Sequence, residues 1–254
     1  MLLMSSVGAF AQSETNTPLE GDLNHDGKVD AADITVLVDI IMKKDGGTRK
    51  YKTFSIIGDS YSTFTGYTDP VTNTQWYPHQ DNDVSCVEEM WWYLFANQYG
   101  CSLIQNNSYS GSTICYDGYR EGHDSAAALI SFCKRIEEMT EKCELLIIFG
   151  GTNDSWAGSS IGEYKYAEWT EDDKSYFRPA LAYLIDYIQH HILGTHIVFI
   201  LNTGLSDNIN TSVTTICSHY DVPLLKLSSF NKMAGHPSAS GMASIAEQII
   251  NFLN

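Results

Sequence analysis

From residue 53 onward the chain alternates short apolar runs with longer stretches in which apolar residues recur every three or four positions. The short, β-rich runs are FSII (54–57), CSLI (101–104), ELLIIF (144–149), HIVFIL (196–201) and VPLLKL (222–227). The intervening stretches, roughly 84–99, 124–141, 172–193, 208–220 and 238–253, carry the helical period. In the last of them Met242, Ile245, Ala246, Ile249, Ile250 and Leu253 follow the i, i+3, i+4 rule, and Ser238 or Ser240 can cap it. Trp91 and Trp92 fall in the first helical stretch, which predicts that at least one of them is core. Regular alternation of strand and helix predicts an α/β sandwich around a parallel central sheet.

The polar clusters are placed consistently on this pattern. After the five strand-like runs come Gly58-Asp59-Ser60, NNSYSG (106–111), GGTND (150–154), NTGLSDN (202–208) and SSFNKMAGHPS (228–238). An open α/β sheet binds its ligand outside the carboxyl ends of the strands, so five polar loops on that edge predict a site there.

Acyl transfer needs an activated nucleophile, a base for its proton and donors aimed at the developing oxyanion. Ser60 follows a strand directly and is the candidate nucleophile. Gly111 lets a backbone N–H approach a substrate oxygen closely, and Asn153 offers a side-chain amide as a further donor. Of eight histidines, His236 alone lies in the final crevice loop, which makes it the candidate base. In this order and spacing, Ser60 in GDS, Gly111 in NNSYSG, Asn153 in GTND and His236 in GHPSASG resemble the four sequence blocks of the SGNH hydrolases of the GDSL esterase and lipase superfamily. The resemblance spans residues 53–254. It implies a three-layer α/β/α sandwich of flavodoxin-like type, and ester hydrolysis through an acyl-serine with no cofactor for catalysis.

One position departs from that pattern. The family carries an orienting Asp three residues before its histidine, and here that residue is Met233. A backbone carbonyl from the 231–235 loop is the expected surrogate; the Asn231 side chain and Asp207 are the other candidates. Asp59 and Asp154 are expected to brace their loops by hydrogen bonds.

Ahead of this domain, the loop beginning GDLNHDGKVDAAD places Asp22, Asn24, Asp26, Lys28 (through its carbonyl), Asp30 and Asp33 at positions 1, 3, 5, 7, 9 and 12, with Gly27 at position 6. Calcium takes six to eight hard oxygen ligands, and this loop supplies them. Asp rather than Glu at position 12, and the absence of a preceding helical pattern, make residues 20–43 resemble a single type I dockerin repeat. That likeness implies structural Ca2+ and, as a partner, a cohesin-like protein, although dockerins usually hold two repeats. Residues 44–52 read as a polar linker. MLLMSSVGAFAQ at the N-terminus ends in the small-residue spacing of a signal-peptidase site, so residues 1–11 are expected to be a truncated signal peptide and the protein secreted, periplasmic or extracellular.

Composition narrows the partners. A formal net charge of -16, from 31 acids and 15 bases, argues against nucleic acid or an anionic membrane surface. No apolar stretch is long and pure enough to span a bilayer. Six cysteines form no C-x-x-C pair, which argues against zinc and thioredoxin-type redox chemistry. The long loop after Ser60 carries Tyr61, Phe64, Tyr67, Trp76 and Tyr77, and Trp156, Tyr164, Tyr166 and Trp169 follow Asn153. Rings with polar handles suit sugar faces, so the expected substrate is an acylated carbohydrate or small ester. A lipase or lysophospholipase, or a weakly active or inactive glycan-binding relative, are the alternatives.

Overall fold

The computed structural model describes residues 50–119, 125–192 and 194–254, together with positions 21, 23, 28–31, 33 and 34. The expected signal segment, and Asp22, Asn24 and Asp26 of the expected calcium loop, lie outside the described residues. The chain divides into two units, Met1–Arg49 and Lys50–Asn254. In the first, Ala31, Asp33 and Ile34 have helical backbone. The buried Asp33 carboxylate accepts the N–H of Leu23 at 2.7 Å and of Asp30 at 2.8 Å.

The second unit is built on five parallel strands: β1 (Thr53–Gly58), β2 (Ser102–Ser108), β3 (Leu145–Phe149), β4 (His196–Leu201) and β5 (Leu224–Lys226). They lie in the order β2-β1-β3-β4-β5. Register explains the two cores. Ile56 aligns with Ile147 and Ile147 with Val198; one residue on, Ile57 aligns with Ile148 and Ile148 with Phe199. Because side chains alternate across a strand, these rows point to opposite faces. The Ile57 row packs with Phe132, Leu184, Ile185, Val213 and Ile216. The Ile56 row packs with Trp91, Trp92, Phe95, Met242, Ile245 and Ile249. Both faces of the sheet are therefore covered by helices, and each fully buried large side chain contributes about 1.5–3 kcal/mol.

The helices are α1 (Trp91–Phe95), α2 (Ser125–Ile130), α3 (Phe132–Arg135), α4 (Thr152–Ala157), α5 (Phe177–His191), α6 (Asp207–His219) and α7 (Ala239–Leu253). Of the two candidate caps for α7, Ser238 takes the role, accepting the N–H of Gly241. Between β5 and α7, a two-stranded hairpin of β6 (Lys232–Met233) and β7 (His236–Pro237) interrupts the α/β alternation.

Three expectations from periodicity need correction. The 124–141 stretch is not one helix: Ser131 is extended, its hydroxyl accepts the N–H of Lys134, and a second helix starts there. The 84–99 stretch is not one helix: a 3-10 turn over Val87–Glu89 precedes an α-helix that begins at Trp91 and continues as one π-helical turn over Ala96–Gly100. Asn106, Asn107 and Ser108 are not loop but the buried end of β2, for a reason given below. Both Trp91 and Trp92 are core, and their indole N–H groups donate to the Ser62 hydroxyl and carbonyl. Among the described residues no disulfide joins the six cysteines, five of which are buried.

Candidate active site

Ser60 and Asn153 follow β1 and β3, the neighbouring strands from which the connections leave in opposite directions. Such a switch point opens a crevice at the carboxyl edge of a parallel sheet. Asp59 caps the short 3-10 turn Ser60–Ser62, accepting the N–H of Tyr61 at 3.0 Å. Burial raises its carboxyl to about 7, against the pull of that hydrogen bond. Asp154, one residue after Asn153, accepts the N–H groups of Ile114 and Cys115; burial raises it to about 6. Both acids brace their loops, and neither contacts the histidine.

Gly111 is the third residue of the turn 109–112, in which the Ser112 N–H meets the Tyr109 carbonyl. Its φ of +80° is a conformation that side-chain-bearing residues resist. The turn is tied at both ends. Tyr109 donates its N–H to Gly58, and the Ser112 carbonyl accepts from Asn153 Nδ2 at 2.8 Å. The hydroxyl of Tyr119 donates to Asn153 Oδ1 at 2.6 Å, which fixes the amide's orientation and leaves Nδ2 a second hydrogen.

One cation sits beneath these three segments. Arg135 is buried, and all its guanidinium donors are used: Nε to the Ile130 carbonyl, Nη1 to the carbonyl and side-chain oxygen of Asn107, and Nη2 to the Gly58 carbonyl and the Ser112 hydroxyl. Asn107 passes the contact on, donating to the Glu138 carboxylate at 2.9 Å. Burial lowers the Arg135 pKa to about 9, with Glu138 and Asp59 opposing, so it stays charged at neutral pH. Here is why NNS continues as strand: Asn107 serves Arg135, Asn106 donates to the Ser62 carbonyl, and the Ser108 hydroxyl donates to Asn106.

His236 arrives from the hairpin. Its Nε2 lies 2.9 Å from Ser60 Oγ and its Nδ1 lies 3.1 Å from the Ala234 carbonyl. A carbonyl can only accept, so Nδ1 carries the proton in the neutral ring and Nε2 accepts from the serine. Ala234 and Gly235, with φ of 48° and 77°, form the two-residue turn, and a primed turn of this kind matches the twist of the paired strands. Met233, opposite His236 in the hairpin, is 41% exposed. Asn231 donates to the Ser240 hydroxyl, and Asp207 is the first residue of α6; neither reaches the ring's hydrogen bonds. The hairpin is held by Tyr61 Oη to the Gly235 carbonyl, Tyr77 Oη to the Pro237 carbonyl, and Asn82 to the carbonyls of Met233 and Pro237.

The aromatic residues of the loop between Ser60 and α1 are divided between the interior and the surface. Tyr61, Phe64 and Tyr77 are buried, whereas Tyr67 is exposed and Trp76 half-buried. Trp76, with Tyr61, Tyr77 and Trp156, surrounds the His236 ring. Burial lowers the His236 pKa to about 4, with the Ala234 hydrogen bond opposing and His79 and Lys232 adding to the fall. Sequence reasoning missed Arg135, Tyr119 and the cage of rings.

A parallel-sheet hydrolase with serine, histidine, glycine and asparagine at one edge defines the class, and comparison with known proteins gives the family. Residues 52–253 match the model of the GDSL-like Lipase/Acylhydrolase family, and the chain belongs to that family. It is an SGNH/GDSL-type carboxylic ester hydrolase. A protein assigned as a GDSL-like lipase from Bacteroides ovatus is 44% identical, over 79% of this chain and 97% of that one, with a TM-score of 0.76. Another from Bacteroides uniformis is 43% identical, over 79% and 94%, with a TM-score of 0.75. A carbohydrate esterase with divergent catalytic and non-catalytic binding functions shares the fold at 15% identity and a TM-score of 0.56, over 82% of this chain and 70% of that one. No curated protein sequence matches.

Replacing Arg135 by Met strands acceptors from Gly58, Asn107 and Ile130 in the interior. Arg135→Met is expected to cost about 3 kcal/mol, and Arg135→Lys, with fewer donors, about 2 kcal/mol. Urea denaturation of the three proteins checks both values.

Proposed function

We propose that the protein is a secreted serine esterase that removes acetyl or other small acyl groups from a carbohydrate. The observation that carries the chemistry is the 2.9 Å contact between Ser60 Oγ and the unprotonated Nε2 of His236. Ser60 attacks the ester carbonyl carbon while its proton passes to Nε2. The oxyanion is held by the N–H groups of Ser60 and Gly111 and by the second hydrogen of Asn153 Nδ2. Collapse breaks the bond to the sugar oxygen, which leaves with the proton from His236. Water then repeats the sequence on the acyl-serine, releasing the carboxylic acid and restoring Ser60.

The carbohydrate reading is supported by Trp156, which is 46% exposed beside the base, its ring centroid 6.2 Å from that of His236. An exposed indole at a polar site suits the apolar face of a sugar ring. Secretion is supported by the N-terminal MLLMSSVGAFAQ and by the dockerin-like loop that follows. In that loop Asp22, Asn24, Asp26, Lys28, Asp30 and Asp33 would hold one Ca2+. The hydrogen bonds from Leu23 and Asp30 to the buried Asp33 carboxylate already draw the two ends of the loop together. A cohesin-like partner for the same repeat belongs to this proposal.

Ser60→Ala is expected to remove hydrolysis of p-nitrophenyl acetate and of an acetylated oligosaccharide, by roughly 10³-fold or more in kcat. Wild-type hydrolysis no faster than the variant's would sink the esterase reading, and a strong preference for long acyl chains would replace the deacylase by a lipase. The base must be neutral to accept a proton, and burial holds His236 at about 4. The acid limb of kcat/KM is therefore expected near pH 4 rather than near the ordinary histidine value; a pH–rate profile with its limb at 6.5 or above would contradict this. Calorimetric titration is expected to show about one Ca2+ per chain, lost in Asp26→Ala, with esterase turnover unchanged by chelator.

A further inference from the structure

With a neutral carbonyl where a carboxylate commonly stands, His236 lacks both a charged partner and the bidentate grip that would fix its plane. The structure supplies a different support. The indole of Trp76 lies flat on the imidazole of His236, ring centroids 3.7 Å apart and planes 7° from parallel. On the other side of the indole lies His79, centroids 4.5 Å apart at 10°. The three rings form one stack; at its centre the backbone N–H of Trp76 donates to Thr63 Oγ1 at 2.8 Å, and at its outer end the backbone N–H of Asp81 donates to His79 Nδ1 at 3.2 Å.

We propose that Trp76 is a positioning residue for the base: its face fixes the plane of His236 and stabilises the imidazolium formed when Ser60 is deprotonated. Two hydrogen bonds, to Ser60 and Ala234, lie at opposite ends of the ring and leave rotation about the line joining them. A flat contact on one face removes that rotation. The same contact is electrostatic once the ring is charged. A cation over an aromatic face within about 6 Å is attracted by the ring quadrupole, and indole is the strongest of the protein rings in this respect. The other groups facing His236 cannot do this. Tyr61 and Tyr77 meet it tilted or edge-on, Trp156 is near-perpendicular at 6.2 Å, and the nearby Lys232 and a protonated His79 oppose the charge. Among the rings around His236, the parallel face belongs to Trp76.

This inference rests on His236 being the base, so the test separates the two. With p-nitrophenyl acetate as the probe, Trp76→Leu is expected to lower kcat about tenfold, equivalent to about 1.4 kcal/mol of barrier, with KM within about twofold of wild type. Trp76→Phe, which restores a flat ring, is expected to recover most of the loss. In the wild-type NMR spectrum the carbon-bound ring protons of His236, assigned against His236→Gln, are expected upfield from the indole ring current and to return in Trp76→Leu. A Trp76→Leu kcat within twofold of wild type, equal losses in both variants, or an effect confined to KM would each overturn the proposal. Unshifted His236 protons in the wild type would do so even if Trp76→Leu failed to fold. Full activity in Ser60→Ala would instead overturn the acyl-serine reading itself, and the role of Trp76 with it.

Discussion

The buried guanidinium of Arg135 ties four segments of the chain to one cation. It bonds the last residue of β1, the end of β2, the turn containing Gly111 and the junction of α2 and α3. A charge is expensive to bury, and this one is retained because every donor has an acceptor and a carboxylate, Glu138, lies one hydrogen-bonded residue away. The consequence is local order. Gly58 is two residues from Ser60, and the Ser112 carbonyl accepts from Asn153, so the strand leading to Ser60 and the helix carrying the amide are referred to the same cation. A lysine would bring the charge without the planar fork, and a hydrophobic residue would strand the carbonyls.

His236 is delivered independently of that network. His236 is 176 residues from Ser60 in the chain and comes in on a hairpin that is no part of the parallel sheet. The two-residue turn reverses the chain and, in the same few atoms, puts the Ala234 carbonyl against Nδ1. It thereby selects the tautomer in which Nε2 accepts. What a carbonyl does not supply is countercharge. The ring is also desolvated by its aromatic cage, and the result is an imidazole held at about 4. Such a ring is unprotonated at neutral pH, and its charged form is disfavoured by the same burial.

Much of this was legible in the chain. Ser60, Gly111, Asn153 and His236 could be named because each follows a strand-like run, and parallel strands deliver their following loops to one edge. One misreading arises because polar residues satisfied inside the protein look like loop. Asn106, Asn107 and Ser108 extend β2 because Ser62 and Arg135 receive them. Ser131 breaks a helical period because its hydroxyl caps a new helix. The aromatic residues after Ser60 read as a surface, yet Tyr61, Phe64 and Tyr77 are packed inward, the two tyrosines spending their hydroxyls on the hairpin carbonyls.

The sequence by itself determined the α/β alternation, the sheet edge at which Ser60, Gly111, Asn153 and His236 meet, and the absence of an acid at Met233. These follow from periodicity and from residue types at set distances along the chain, which are local properties. The tertiary structure alone decided which carbonyl of the expected 231–235 loop meets His236 Nδ1, which cation organises the loops and which ring lies on the imidazole. Each of those depends on contacts across many residues, such as Arg135 to Gly58, Trp76 to His236 and Tyr77 to Pro237, whose partners are set by packing and hydrogen-bond satisfaction rather than by spacing.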